Sequence, residues 1–145
     1  MAHLLKYDSV HGKVKASISY ENSKLIVNGK PIALTQCNHP TSIDWAVNKV
    51  NILLEATGKF LKKTQLQKYL DQGVKKVILT VPPVDDSIKT TVLGVNENSI
   101  YDTDQILSNT SSTTNNAAPM LSIINDLSGI EQAYITTLHP YSTDQ

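Results

Sequence analysis

The sequence predicts a mixed α/β fold, and three observations carry that reading. Residues 49–81 read as strand, helix, strand, a unit whose crossover makes the two strands parallel. The first third of the chain alternates and turns like an antiparallel β-meander. A polar run at 108–116 then joins a strand to an apolar-periodic helix.

Residues 13–20 (KVKASISY) place Val14, Ala16 and Ile18 on one face, the period of a half-buried strand. Asn22 and Ser23 form a turn, and residues 24–28 (KLIVN) return as a second strand. Asn28-Gly29 is a strong two-residue hairpin signal, so residues 31–36 form a third strand. Residues 40–46 suit a short helical turn. The apolar run at 49–56 (KVNILLEA), closed by Thr57-Gly58, reads as a strand buried on both faces. Residues 60–71 space Phe60, Leu61, Leu66, Tyr69 and Leu70 for an amphipathic helix that stops at Gly73. Residues 75–81 (KKVILTV) give another buried strand, ended by Pro82-Pro83. Residues 90–95 and 105–108 read as further strands. Ala118, Met120, Leu121, Ile123, Ile124 and Leu127 mark a helix over 117–127, stopped by Gly129, and residues 130–138 form a last strand.

Composition excludes several functions. The 145 residues suit one domain and need no disulfide staples. Thirteen basic and 13 acidic residues balance, which argues against nucleic-acid partners. All 13 basic residues are Lys, so no guanidinium fork grips phosphate or carboxylate. Any anion site must use backbone N–H groups, hydroxyls, Lys or a partner segment. The single cysteine, Cys37, excludes an intramolecular disulfide and a multi-thiolate metal site, and it reads as a small packing residue. No metal centre is expected. No apolar run spans a membrane, and the charged first twenty residues do not form a signal peptide. These features suit a soluble domain of a reducing, cytoplasmic compartment. His11 and His39 read as surface or turn residues, and the Lys pairs at 62–63 and 75–76 as solvated faces. The loop at Asp85-Asp86 carries no further signal.

The polar run SNTSSTTNN at 108–116 carries the chemistry. Its hydroxyls and amides cap the free N–H groups of the first helical turn, or they build an anion or reaction site in front of a helix start. Nine polar residues in a row exceed what capping needs. No GxGxxG turn occurs; the glycines at 12, 29, 58, 73, 94 and 129 are too far apart. Ser112 and His139 could pair as a hydrolase dyad, but no acidic residue is placed to orient the histidine.

Six ordered blocks resemble the phosphorylating, NAD-dependent glyceraldehyde-3-phosphate dehydrogenase family and its erythrose-4-phosphate relatives. KYDSVHG at 6–12 is similar to the family's KYDSxHG, and LEATGKF at 54–60 to its E[SA]TGxF. KVILTVP at 76–82 is similar to KKVIISAP, Gly94-Val95-Asn96 to GVN, and SNTSSTTNN to SNASCTTNC. Thr136-Thr137-Leu138-His139 with Thr143-Asp144-Gln145 is similar to TTVHAYTxDQ. The resemblance implies a partial Rossmann-type NAD-binding domain at 1–109, its parallel sheet interrupted by the β-meander and its first βαβ unit missing. Residues 110–145 would begin the catalytic domain with its first helix and strand. It also implies roles. Ser112 stands where the family has its catalytic thiol, and His139 where it has its acid–base histidine. Ser111, Thr113 and Ser142 fall on phosphate and substrate positions, Asn115 on the motif's Asn. Thr57, Gly58 and Thr80 fall on the cofactor side.

The departures from the family pattern matter as much. A Ser hydroxyl is far less acidic than a thiol, and an oxygen ester is less activated than the thioester that phosphate cleaves. Asn116 replaces the family's second Cys, and Cys37-Asn38 its acidic–Arg pair. The glycine-rich turn, the acidic residue that holds the adenosine ribose and most of the catalytic domain have no counterpart in this sequence. The expectation is a fragment or degenerate member of the family, inactive or very weak as a dehydrogenase. NAD is the family's cofactor and a sugar phosphate its substrate. The alternatives are a non-catalytic interaction module, or one part of a split oxidoreductase that associates with itself or with a complementary chain.

Overall fold

In the computed structural model, residues 2–22 and 24–139 are described. The chain divides into two compact units between Ile43 and Asp44.

The first unit opens with a short helix α1 (Ala2–Lys6) and a two-residue pairing of β1 (Tyr7–Asp8) with β2 (Gly12–Lys13). Asp8 closes the intervening turn by accepting from the N–H groups of Val10 (2.8 Å) and His11 (2.7 Å). β3 (Ile18–Glu21), β4 (Lys24–Val27) and β5 (Lys30–Ile32) form a three-stranded antiparallel sheet, as the meander reading expects. The hairpin between β4 and β5 turns on Asn28 (φ 50°) and Gly29 (φ 77°), two left-handed residues whose twist matches the flanking strands. The expected strand at 13–20 is shorter: residues 14–17 leave the ladder, and Asn28 Oδ1 accepts from the Ser17 N–H instead (3.0 Å). Among the described residues of this unit, Leu25 is the buried apolar side chain. Cys37 is exposed, which corrects its reading as a packing residue. It lies in an irregular stretch where no element of its unit covers it. A single 3-10 turn, Pro40–Ser42, stands where a helical turn was expected; His39 caps it by accepting from the Thr41 N–H.

The second unit is a parallel sheet with strand order β6-β7-β9-β8, built from β6 (Ile52–Glu55), β7 (Lys76–Leu79), β8 (Lys89–Thr90) and β9 (Ile106–Ser108). The crossover α2 (Lys63–Asp71) joins β6 to β7, so the strand–helix–strand reading of 49–81 holds. In register, Leu53, Val77 and Ile106 align across one face, and Glu55, Leu79 and Ser108 align one pleat further on. Against that face α2 lays Leu66 and Tyr69, and Val74 and Ile88 complete the core. Burying each such aliphatic side chain contributes about 1.5–3 kcal/mol. Trp45 meets the Tyr69 ring edge-on at 6.0 Å.

β6 is not buried on both faces. Leu53 and Glu55 point inward, but Ile52 is 59% and Leu54 63% exposed. β6 is an edge strand, and α2 covers only the opposite face. The strand expected at 90–95 shrinks to Lys89–Thr90. Asn96 draws residues 92–96 into a turn by accepting from the Val92 N–H (2.7 Å) and donating to the Thr90 carbonyl (3.1 Å).

The last helix, α3 (Ser112–Ser128), begins five residues earlier than its apolar period suggests, because Ser111 caps it. Pro119 lies inside it, and Gly129 (φ 72°) ends it. Residues 130–138 are irregular and join no sheet, against the strand reading; among the described residues no strand lies alongside to accept their backbone pairs. No helix among the described residues is long and apolar enough to cross a membrane.

Candidate functional site at the carboxyl ends of the parallel strands

Three parallel strands deliver their carboxyl ends to one rim, the edge where open α/β sheets bind ligands. From β6 the chain runs through Thr57 and Gly58, from β7 through Thr80, and from β9 through Asn109 and Thr110 into α3.

Backbone bonds stitch these exits together. The Thr80 N–H and hydroxyl both donate to the Glu55 carbonyl (3.1 and 3.3 Å), and the Asn109 N–H donates to the Leu79 carbonyl (2.9 Å). Ser108, 1% exposed, donates its hydroxyl to the Val81 carbonyl (2.8 Å) and accepts from the Thr110 N–H (2.9 Å). Thr110 is left-handed (φ 55°), a costly conformation for a β-branched residue. It is buried, and the Ser108 hydroxyl holds its N–H. Asn115 reaches back from α3 to the carbonyls of Asn109 (2.6 Å) and Ser111 (2.9 Å). The turn before α3 is thus pinned on both sides.

The Ser111 hydroxyl accepts from the Thr114 N–H (3.0 Å). Capping therefore accounts for Ser111. Ser112, the first helical residue, remains exposed beside the uncompensated N–H groups of a 17-residue helix, a position that favours negative charge.

At the exit of β6, Glu55 is buried to 3% exposure. Its Oε1 accepts from the Thr57 N–H (2.8 Å) and hydroxyl (2.5 Å), and its Oε2 from the Tyr69 hydroxyl (2.5 Å). Burial pushes the Tyr69 phenol well above its ordinary range, and the bond to the Glu55 carboxylate and its charge push it further. The Thr57 oxygen also accepts from the Lys59 N–H (3.2 Å), so the hydroxyl proton is committed to Glu55 while the residue itself stays exposed and its oxygen keeps one lone pair unused by these bonds. Gly58 is left-handed (φ 70°) with open space in front of it.

A groove of about 630 Å³ runs between α3 and residues 134–139. Ser112, Thr113, Asn116, Tyr134, Thr137 and His139 are among the residues that line it. The structure thus brings Ser112, Thr113 and His139 to one concavity. Ser111 sits at its head, bound to the helix; Thr57, Gly58 and Thr80 lie at the strand ends outside the lining. Ser142 lies outside the described residues. Sequence reasoning missed the roles of Ser108 and Tyr69. The available signal was a polar residue in the inward register of a strand, two positions after a core residue, as Ser108 follows Ile106.

The family model described as "Glyceraldehyde 3-phosphate dehydrogenase, NAD binding domain" matches residues 1–63. The chain is 44% identical to the glyceraldehyde-3-phosphate dehydrogenase of Priestia megaterium (strain DSM 319 / IMG 1521) and 43% identical to glyceraldehyde-3-phosphate dehydrogenase 1 of Bacillus subtilis (strain 168). Both matches take in 100% of this chain and 43% of the relative. With glyceraldehyde-3-phosphate dehydrogenase 1 of Kluyveromyces marxianus it shares 42% identity over 99% of the chain, again 43% of the relative. The chain thus spans less than half the length of these relatives. Identity of this order, sustained along the whole chain, together with the match of residues 1–63 to the family's NAD-binding domain, has one reading: the chain belongs to the glyceraldehyde-3-phosphate dehydrogenase family.

Proposed function

We propose that this chain carries the reaction-centre segment of an NAD-linked aldose-phosphate oxidoreductase, degenerate in its nucleophile and inactive or very weak as a dehydrogenase. The observation that carries the reading is Ser112. It occupies the exposed first position of α3 and lines one groove with His139, the family's arrangement with oxygen in place of sulfur. A Ser needs a strong base and an orienting acid, and among the described residues no acidic side chain lines that groove. Thr113 and the backbone N–H groups at the head of α3 supply the anion contacts that a chain without Arg must use for phosphate. Ser142, in the segment after His139, takes the family's substrate-phosphate position.

The residues present fit one flank of a dinucleotide. Thr57 offers a lone pair, Gly58 lets a ligand approach the backbone, and Thr80 is exposed at the neighbouring strand end. The glycine-rich pyrophosphate turn has no counterpart in the sequence. NAD, when bound, supplies the hydride acceptor; this chain's residues bind and orient. On this reading residues 1–109 belong to the cofactor side and 110–145 to the catalytic side, and the chain works in the cytoplasm, in the glycolytic line.

A second reading has its own support. Met120, Ile123, Ile124 and Leu127 of α3 are each at least half exposed, and so are Ile52 and Leu54 of β6. Such surfaces suit association with a complementary chain or a second copy, as in a split oxidoreductase or an interaction module.

Calorimetric titration with NAD, and NADH formation from glyceraldehyde 3-phosphate with inorganic phosphate, test the proposal. The expected result is saturable cofactor binding with little or no NADH formed. Absence of binding up to millimolar NAD overturns the dinucleotide reading, and rapid turnover overturns the degenerate one.

A further inference from the structure

We propose that Glu55 is the positioning residue of the cofactor-side turn, an inference that rests on the dinucleotide reading above only for what the turn presents. A carboxylate 3% exposed with no cationic partner among its hydrogen bonds is costly to bury and calls for an account. The two oxygens divide the work. Oε1 takes both the N–H and the hydroxyl of Thr57 and fixes that residue two positions after the strand. Oε2 takes the Tyr69 hydroxyl from α2, which stops the carboxylate from swinging out to solvent. The Glu55 carbonyl meanwhile holds Thr80, the second cofactor-side residue, through its N–H and its hydroxyl. One buried residue therefore sets two exposed residues on adjacent strand exits, and by claiming the Thr57 hydroxyl proton it leaves that oxygen a lone pair.

An apolar residue would fill the same space, so the charge is explained by the turn rather than by the core. The Glu55→Leu, Tyr69→Phe double variant removes the carboxylate without leaving a buried phenol unpaired, and it keeps the core packed. Glu55→Gln serves as the rescue: its amide oxygen accepts from Thr57, and its amide N–H donates to the Tyr69 oxygen.

The experiment follows the Thr57 amide by NMR hydrogen exchange in the full chain and, in parallel, NAD affinity and melting temperature. In the double variant the Thr57 amide should exchange at least about tenfold faster and lose the low-field shift of a proton bonded to a carboxylate, at nearly unchanged melting temperature. Glu55→Gln should restore most of the protection. NAD affinity should fall about tenfold in the double variant and recover in Glu55→Gln. A folded double variant whose Thr57 amide is as protected as in the parent overturns the inference. So does equal NAD affinity in parent and double variant. A parent that binds no NAD overturns the dinucleotide reading, and the Thr57 amide then decides the inference alone.

Discussion

Replacing Ser112 by Cys converts the head of α3 into a measurable electrostatic probe. In a Cys37→Ser background the new thiol is the single thiol of the chain. Ser112 is exposed at the first position of a 17-residue helix, and its cap, Ser111, satisfies only the Thr114 N–H. A helix start at an exposed site favours an anion by about 0.3–1 kcal/mol. At about 1.36 kcal/mol per pKa unit, the thiol should drop from its usual value near 8.5 to about 7.8–8.3. The thiolate fraction at neutral pH then rises from about 3% to roughly 5–14%, so alkylation should run about two- to fourfold faster than at an unstructured thiol. The assay is the pH dependence of iodoacetamide alkylation. Raising the salt to about 1 M, where the screening length falls to about 3 Å, should erase most of the advantage. A thiol that titrates at about 8.5 or above refutes the claim that this helix start favours negative charge.

Three further outcomes follow from the same structure. Thr91 Oγ1 is buried without a hydrogen-bond partner, so Thr91→Val, of the same shape, should stabilise the second unit by about 1 kcal/mol in urea unfolding followed by the single Trp45; a loss of stability would sink this account. Pro119→Ala restores an N–H facing the Asn115 carbonyl inside α3 and should add about 2 kcal/mol net of the chain entropy it returns, read as slower amide exchange around residues 115–119. Tyr69 has its pKa raised in the folded state, so the stability it contributes is complete below the unfolded value of about 10 and is lost as pH rises beyond it. Phenolate absorbance should therefore show one of the six tyrosines ionising only with unfolding, and Tyr69→Phe should remove that step.

Much of this fold was legible because local chemistry dictates it. Asn28-Gly29 permits two consecutive left-handed residues and so sets the hairpin register. The strand–helix–strand period of 49–81 specifies parallel pairing, since only a crossover connects those strands. Where expectation and structure part, a tertiary neighbour decides. Ile52 and Leu54 read as core residues, but burial needs a covering element and α2 packs on the other face. Residues 130–138 carry strand propensity, yet propensity without an adjacent ladder leaves irregular chain, not sheet. At the site, the motif residues could be named from their order alone. Of the buried polar scaffold beneath them, the inward turn of Ser108 needed the pairing register, and Tyr69, legible as a residue of the helix's apolar face, gave no sign that its hydroxyl meets the Glu55 carboxylate.

The strand order of the second unit has a kinetic consequence. In the first unit every ladder joins neighbours in sequence, and a hairpin closes each over a short loop. In the second, Ile52 must find Lys76, and Val77 must find Ile106, before the central strand is paired on both sides. Loop-closure entropy is lost before those contacts form, so the parallel sheet is the slow step and the meander the fast one. Between the two events β7 waits with open edges, and the Val-Ile-Leu run of residues 77–79 is the stretch of chain most prone to pair with the wrong partner.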